Sequence, residues 1–380
     1  IDPALARLLL RPCGHDDDVC VGAHGDVVRA EHLGLRDELD AVLEVERLGL
    51  DLQLVDARPR GAARHDPRVL ALSHGSRLTL ERLGIWPQLQ ATPIETIHIS
   101  QQGHLGRSLL SAADYGLPAM GYVVAAGDLA AALDDALAAA GIPIQGDSPV
   151  SSLTAGADNV TLKLADGTLE ARLVACAEGS IQGEGAPELV ERDYAQHAVI
   201  SVATPVEGHA HRAWERFTPQ GPLAVLPCGS DCAIVHTASP AEADALMALD
   251  DEAYRARLQA HFGERLHFAA VGPRARYPLL LRYRPDPVGP RTVWLGNAAQ
   301  TLHPVAGQGY NLALRDVWAC AQVLLRTSDA FVFAHGLEGR YPEWQRVVPA
   351  LGTCGARFRV DPSALAGAVE SMGKLHRLES

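Results

Sequence analysis

A chain of 380 residues is longer than one small core needs, and 47% hydrophobic with 21% charged residues is the balance of an ordinary globular protein. A formal charge of −13 argues against a nucleic-acid partner, because neutralising phosphates takes clustered Lys and Arg. No apolar run reaches the ~18–20 residues that cross a bilayer, and the opening IDPALARLLLRPCGHDDD has neither a basic leader nor a small-residue cleavage site.

Along the chain, residues 49–57 (GLDLQLVDA) alternate apolar and polar side chains and end on an acid, which predicts a buried strand. A helix is expected over 67–83, with Val69, Leu72, Leu78, Leu80 and Leu83 partly on one face. ETIHIS and GRSLLS read as two strands around a turn at 101–106. GDLAAALDDALAAA, residues 127–140, predicts a helix with Asp128 as cap and Gly141 as stop. IPIQG, NVTLKLADG and TLEARLVAC follow as a hairpin meander. From 195 to about 284 the strands lengthen (HAVISVA, PLAVLPC, CAIVHTA), interrupted by one helix over 241–262. TVWLGNAA then returns to a short apolar strand, a Gly-rich loop and a helix over 311–325. That order implies a nucleotide domain interrupted by a mainly antiparallel substrate domain.

Seven cysteines (Cys13, Cys20, Cys176, Cys228, Cys232, Cys320, Cys354) are scattered, with no CxxC pair, so buried thiols in a reducing cytoplasm are expected rather than disulfides or a metal site.

The most informative stretch is 296–316, GNAAQTLHPVAGQGYNLALRD. Gly307 and Gly309 let a flat ligand approach the backbone closely, since no Cβ intervenes. A helix starting near Asn311 turns free N–H groups and the positive end of its dipole toward that ligand. A reduced flavin, anionic at one ring edge, suits that electrostatics.

This string resembles the third FAD motif of the class A flavoprotein monooxygenases, in particular the 2-polyprenyl-6-methoxyphenol hydroxylase-like branch of ubiquinone-biosynthesis hydroxylases. The likeness extends to VDARP with DPRVLAL, HISQQGHLG with AADYGL, WERFTPQGPLAVLPC, and RYPLLL, so it runs from about residue 49 to about 341. It implies an α/β fold: a doubly wound, Rossmann-like FAD domain of glutathione-reductase type, interrupted by a mainly antiparallel β substrate domain. The implied boundaries are 1–94, 121–190 and 291–345 for the FAD domain, 95–120 and 191–290 for the substrate domain, and 346–380 as an atypical C-terminal segment. Carried over by position, the resemblance puts Asp56 on the adenosine ribose and Arg68 on the flavin side of FAD. Glu178 and Gly179 take the place of the family's Asp-Gly pair. Gly296 and Asn297 stand where most relatives have Gly-Asp, and His303, Pro304, Gly307, Gln308, Gly309, Tyr310 and Asn311 lie along the isoalloxazine. His303 is expected to shape the loop, and no residue stands out as a catalytic base.

The implied reaction takes electrons from a transient NAD(P)H donor, uses O2, and hydroxylates the ring of a prenylated phenol in ubiquinone biosynthesis. Two alternatives stay open. One is hydroxylation of another aromatic or ring position. The other is an FAD-free relative acting as a partner in a biosynthetic assembly. A cytoplasmic or membrane-peripheral location is expected, with no transmembrane segment, nucleic acid or metal.

Two regions depart from the family pattern. Its GxGxxG turn should lie about twenty-five residues before Asp56, yet RAEHLGLRDELDAVLEVERLG has no paired glycines there. From Trp344, WQRVVPALGTCGARFRV replaces the expected Arg-rich helix. Weak retention of FAD is the consequence expected of the first departure.

Overall fold

The computed structural model describes residues 18–19, 28–29, 52–104, 106–177, 188–302 and 307–326. Its largest element is a nine-stranded sheet. In order across the sheet run Gln300–Thr301, Ala275–Tyr283, Val190–Pro205, Asp231–Ala238, Gly221–Cys228, Arg212–Thr218, Thr96–Gln101 and Arg107–Ser111, with Phe268–Val271 also paired to Val190–Pro205. Every pairing is antiparallel except Arg212–Thr218 with Thr96–Gln101.

Because side chains alternate along a strand, register divides this sheet into two faces. Trp214 pairs with Val225 and His98, and Val225 with Ile234, so these share one face. Helix Asp251–Phe262 covers that face: Trp214, Phe262 and Phe268 meet edge-on at 5.9 and 5.4 Å, beside Leu223, Val225, Ile234 and Leu258. Each such side chain contributes roughly 1.5–3 kcal/mol on burial, so this face anchors the sheet. The opposite face carries Ala213 and Leu226, which pack against Val69, Ile94 and Val123 of a three-stranded sheet, Val69–Leu72, Gly121–Ala125 and Thr92–Ile94.

Parallel pairing joins Leu54–Val55 to Ile144–Gln145, and Val174–Cys176 to Thr292–Trp294. The meander differs from the expected one: it is Ser152–Ala155, Val160–Leu164 and Gly167–Ala171, whereas IPIQG lies outside it, Ile144–Gln145 pairing with Leu54–Val55, and the end of TLEARLVAC forms the separate strand Val174–Cys176. The architecture is mixed helix and sheet with mainly antiparallel pairing, the α/β class expected.

Local expectations differ at several places. Of the buried strand expected over 49–57, only Leu54–Val55 is a strand among the described residues, and Leu52 and Leu54 are exposed. Residues 67–72 are not helical: Val69–Leu72 is a strand paired with Gly121–Ala125, and the helix begins only at His74. Ser73 ends the strand by capping that helix, its Oγ accepting from Ser76 N–H at 3.1 Å, and available strand partners outweigh the helical spacing. The expected helix over 241–262 is two, Pro240–Ala248 and Asp251–Phe262, because Asp250 caps the second through the N–H of Ala253 at 2.8 Å. Asp128 is a first-turn acid rather than the cap of Ala126–Ala139, whose cap position is Ala125, while Gly141 does follow it at φ +68°.

The described cysteines Cys176, Cys228, Cys232 and Cys320 are free thiols. Among the described residues no helix is long and apolar enough to cross a membrane, and no group of three His, Cys, Asp or Glu could hold a metal ion.

Candidate functional site

The buried strand Thr292–Trp294 ends in a single 3-10 turn, Gly296–Ala298. Gly296 adopts φ +55° and is buried, and a Cβ there would come within 3.3 Å of Ala313 in helix Gly309–Arg326. Its neighbour Asn297 is exposed. Further on, Gly307 has φ +59° and lies against strand Val69–Leu72, where a Cβ would stand 3.5 Å from that of Ala71. Gly309, the first residue of the helix, is exposed, and among the described residues a Cβ there would meet no atom within 4 Å. The Gln308 carbonyl accepts the first turn's bond from Leu312 N–H at 2.9 Å, while Tyr310 packs into the cluster of Leu72, Leu80, Tyr122 and Leu129. Burial pushes the Tyr310 phenol up to about 12.

Asn311 is 1% exposed and its amide is fully used. Oδ1 accepts from Ser73 N–H at 2.8 Å and from Ser76 Oγ at 2.7 Å; Nδ2 donates to Ala71 O at 2.9 Å and Gly307 O at 3.0 Å. An amide offers two donors and two acceptor sites, so none is left for a ligand. The side chain of Asn311 is therefore structural, and a contact of this residue with the cofactor is left to its backbone. It clamps the glycine turn and its helix to the strand–helix unit at 69–82. Ser73 and Ser76 have no counterpart in the expected site, although the Ser-x-x-Ser spacing at a helix start was a legible sign of a cap.

Asp56 stands just after strand Leu54–Val55, held by Asp56 N–H to Gln145 O at 2.9 Å. Its carboxylate accepts from Arg58 N–H at 2.8 Å, Arg58 Nε at 3.1 Å and Arg58 Nη2 at 3.0 Å, and those bonds hold it below the usual carboxylate range. Arg68 repeats the arrangement with Asp66, its Nε lying 2.9 Å from Oδ1, and Tyr277 of the large sheet lies within electrostatic reach. Glu178, Gly179, His303 and Pro304 lie outside the described residues.

Two buried acids went unnoticed in the sequence. Asp316, 5% exposed on helix Gly309–Arg326, accepts from Gln300 Nε2 at 3.3 Å through Oδ2 while Oδ1 has no partner; burial pushes it up to about 7. Glu215, within WERFTPQGPLAVLPC, has Oε1 shut from solvent and without a hydrogen bond, and burial pushes it up to about 8. The available signal was an acid beside a large apolar residue, Trp214 next to Glu215 on a strand and Val317 next to Asp316 on a helix.

These residues fit FAD at both ends of the molecule. Gly309 leaves open space beside a helix start whose first N–H groups lack intrahelical partners, as a flat, anionic ring requires. At the other end, Oδ1 of Asp56 is taken up by the Arg58 N–H and Nε, while Oδ2 accepts only from Nη2 and retains a lone pair for a ribose hydroxyl.

The FAD binding domain family matches residues 41–328. The chain is 32% identical over 348 residues to ubiquinone hydroxylase UbiL of Rhodospirillum rubrum, covering 83% of this chain and 79% of that protein. It is 29% identical over 364 residues to 3-demethoxyubiquinol 3-hydroxylase of Escherichia coli, covering 88% and 91%. Among solved structures, 2-methyl-3-hydroxypyridine-5-carboxylic acid oxygenase shares the fold at a TM-score of 0.62, with 17% identity over 89% of both chains.

Proposed function

The chain belongs to the FAD-binding domain family and is a flavoprotein monooxygenase; from that premise we propose that it hydroxylates the aromatic ring of a polyprenylated phenol in ubiquinone biosynthesis. One observation carries the reading. Strand Val69–Leu72 touches the glycine turn through Ala71, and through Val69 it touches the sheet face that bears Ala213 and Leu226. Side chains two apart on a strand share a face, so the turn and that sheet face border one space. Farther across the face, Ala224, Val235 and Ile200 are only half-buried, and Val202 is 40% exposed. This is the apolar wall that a prenylated ring needs.

In this reading Asp56 holds the adenosine ribose and Arg68 the flavin side. Gly296, Asn297 and the stretch Gly307 to Asn311 shape the ring site, together with Glu178, Gly179, His303 and Pro304. Asn311 acts by fixing the turn, and its own contact with FAD falls to its backbone. The chemistry supplied by FAD, when bound, is activation of O2 for insertion into the ring, after reduction by a transient NAD(P)H donor. The chain's own residues orient the ring, direct the helix N-terminus at developing negative charge and exclude water. The FAD domain is assigned to 1–94, 121–190 and 291–345, and the substrate domain to 95–120 and 191–290; in support, the strands of the nine-stranded sheet come from the substrate segments, apart from Gln300–Thr301 at its edge and the first residue of Val190–Pro205. Participation in a biosynthetic assembly and a cytoplasmic, membrane-peripheral site of action belong to the same proposal.

The test is to load the purified protein with FAD, supply NADPH, O2 and a short-chain prenylated phenol, and analyse the product by mass spectrometry. Gain of one oxygen atom on the ring is the expected result. A flavin-loaded protein that consumes NADPH without oxygenating any prenylated phenol would overturn the substrate assignment.

A further inference from the structure

Glu215 lies on strand Arg212–Thr218 between Ala213 and Phe217, and register fixes its direction. It pairs with Ile99 on one side and Ala224 on the other; Ala224 pairs with Val235, and Val235 with Ile200. Ala213, two residues earlier and therefore on the same face, packs against Val69, Ile94 and Val123. Glu215 thus belongs to the face turned toward the glycine turn, not to the face filled by helix Asp251–Phe262. It is the one ionisable side chain in a row otherwise made of Ile99, Ala224, Val235 and Ile200.

A buried carboxyl oxygen without a partner is destabilising, and most such groups in folded proteins are satisfied. Nothing in the packing of the sheet requires an acid here, since Ala213 serves the same face with a methyl group. An acid in this position has a use if a ligand supplies the missing partner. Building on the prenylated-phenol reading above, we propose that Glu215 binds the ring hydroxyl of the substrate, setting the polar end of an otherwise apolar pocket. Burial keeps the carboxyl protonated at neutral pH, so it can donate a hydrogen bond through one oxygen and accept one through the other. A hydroxyl held in this way orients the ring and so decides which carbon is presented for oxygenation. An apolar pocket alone discriminates poorly between ring orientations, whereas a buried polar group left unpaired penalises the wrong one.

The test compares 2-farnesylphenol with farnesylbenzene, which lacks the hydroxyl altogether, by calorimetric titration of the FAD-loaded protein. The wild type should bind the phenol roughly ten-fold more tightly than the hydrocarbon. Glu215→Leu should bring the phenol down to the hydrocarbon's affinity or below it, while Glu215→Gln keeps most of the preference. A readout that needs no variant is the protonated-carboxyl stretch in difference infrared spectra of the wild type. It should shift on adding the phenol and stay put on adding the hydrocarbon. Equal binding of the two ligands, a preference that survives in Glu215→Leu, or an unmoved carboxyl band overturns the role of Glu215 alone. If the wild type binds neither ligand, the prenylated-phenol reading fails and the assignment fails with it.

Discussion

Asn311 Oδ1 accepts the hydroxyl of Ser76 at 2.7 Å, joining two residues 235 positions apart in the chain. The bond is buried and forms part of a set that leaves no donor or acceptor of the amide unused. Asn311→Ala would leave the Ser73 N–H, the Ser76 hydroxyl and the carbonyls of Ala71 and Gly307 without this partner. The expected loss is about 2–4 kcal/mol of unfolding free energy, with Ser76→Ala costing about 1 kcal/mol. Urea denaturation of both variants measures this. An Asn311→Ala midpoint equal to wild type would show that the clamp carries no stability.

Asp316 makes stability depend on pH in a definite sense. Its carboxyl is raised from 3.8 to about 7, so between those values the native state holds a proton that the unfolded chain has released. The contribution of Asp316 to stability is therefore highest below pH 4, falls as pH rises toward 7, and levels off above it. Asp316→Asn removes the titration and should gain on wild type across that window, by on the order of 1–4 kcal/mol at pH 7.5 and nearly nothing at pH 4. Thermal unfolding of both proteins from pH 4 to 8 measures the difference. Parallel curves would mean that Asp316 titrates normally.

Asp56→Ala should lower FAD affinity roughly ten-fold or more while leaving the melting temperature close to wild type, because a half-exposed carboxylate contributes little packing and its partner Arg58 is exposed. Arg58→Ala separates two roles. If Arg58 only neutralises Asp56 in the free protein, FAD binding should hold or improve; if it carries part of the cofactor contact, affinity should fall. Unchanged FAD titration in Asp56→Ala would remove the ribose role.

Gly309→Val adds a branched side chain where no atom of the described residues lies within 4 Å, so the fold should tolerate it and FAD binding should collapse. Gly106→Val is the appropriate control, since Gly106 also has open space and an ordinary φ, whereas Gly167 at φ +153° would be strained by any side chain. Flavin content and circular dichroism of the two variants decide. Full flavin content in Gly309→Val would show that the ring lies elsewhere.

FAD retention is the remaining expectation. The family match begins at residue 41, only fifteen positions before Asp56, and the sequence between 29 and 48 offers no Gly pair to admit a pyrophosphate. Loss of two or three charge-assisted bonds costs on the order of 3–9 kcal/mol, enough to make the cofactor dissociable. Replacing residues 1–48 by a short apolar strand, a GxGxxG turn and an amphipathic helix should restore tight binding, measured by quenching of flavin fluorescence. Tight binding by the unaltered chain would show that another arrangement cradles the phosphates.

What the sequence by itself determined here is local: the Gly-rich turn before the last described helix, the stop of Ala126–Ala139 at Gly141, and the alternation of the long strands. Positive φ at glycine, capping and side-chain period are properties of a few adjacent residues, so they can be read without a fold. Tertiary structure decided the rest. VLAL at 69–72 fits helix or strand by spacing, and it became a strand because Gly121–Ala125 supplied the hydrogen bonds. The side chain of Asn311 found its partners near Ala71 and Ser76, more than two hundred residues away. The direction of Glu215 depended on register with Ile99 and Ala224, because a strand shows which residues alternate but not which face meets the core.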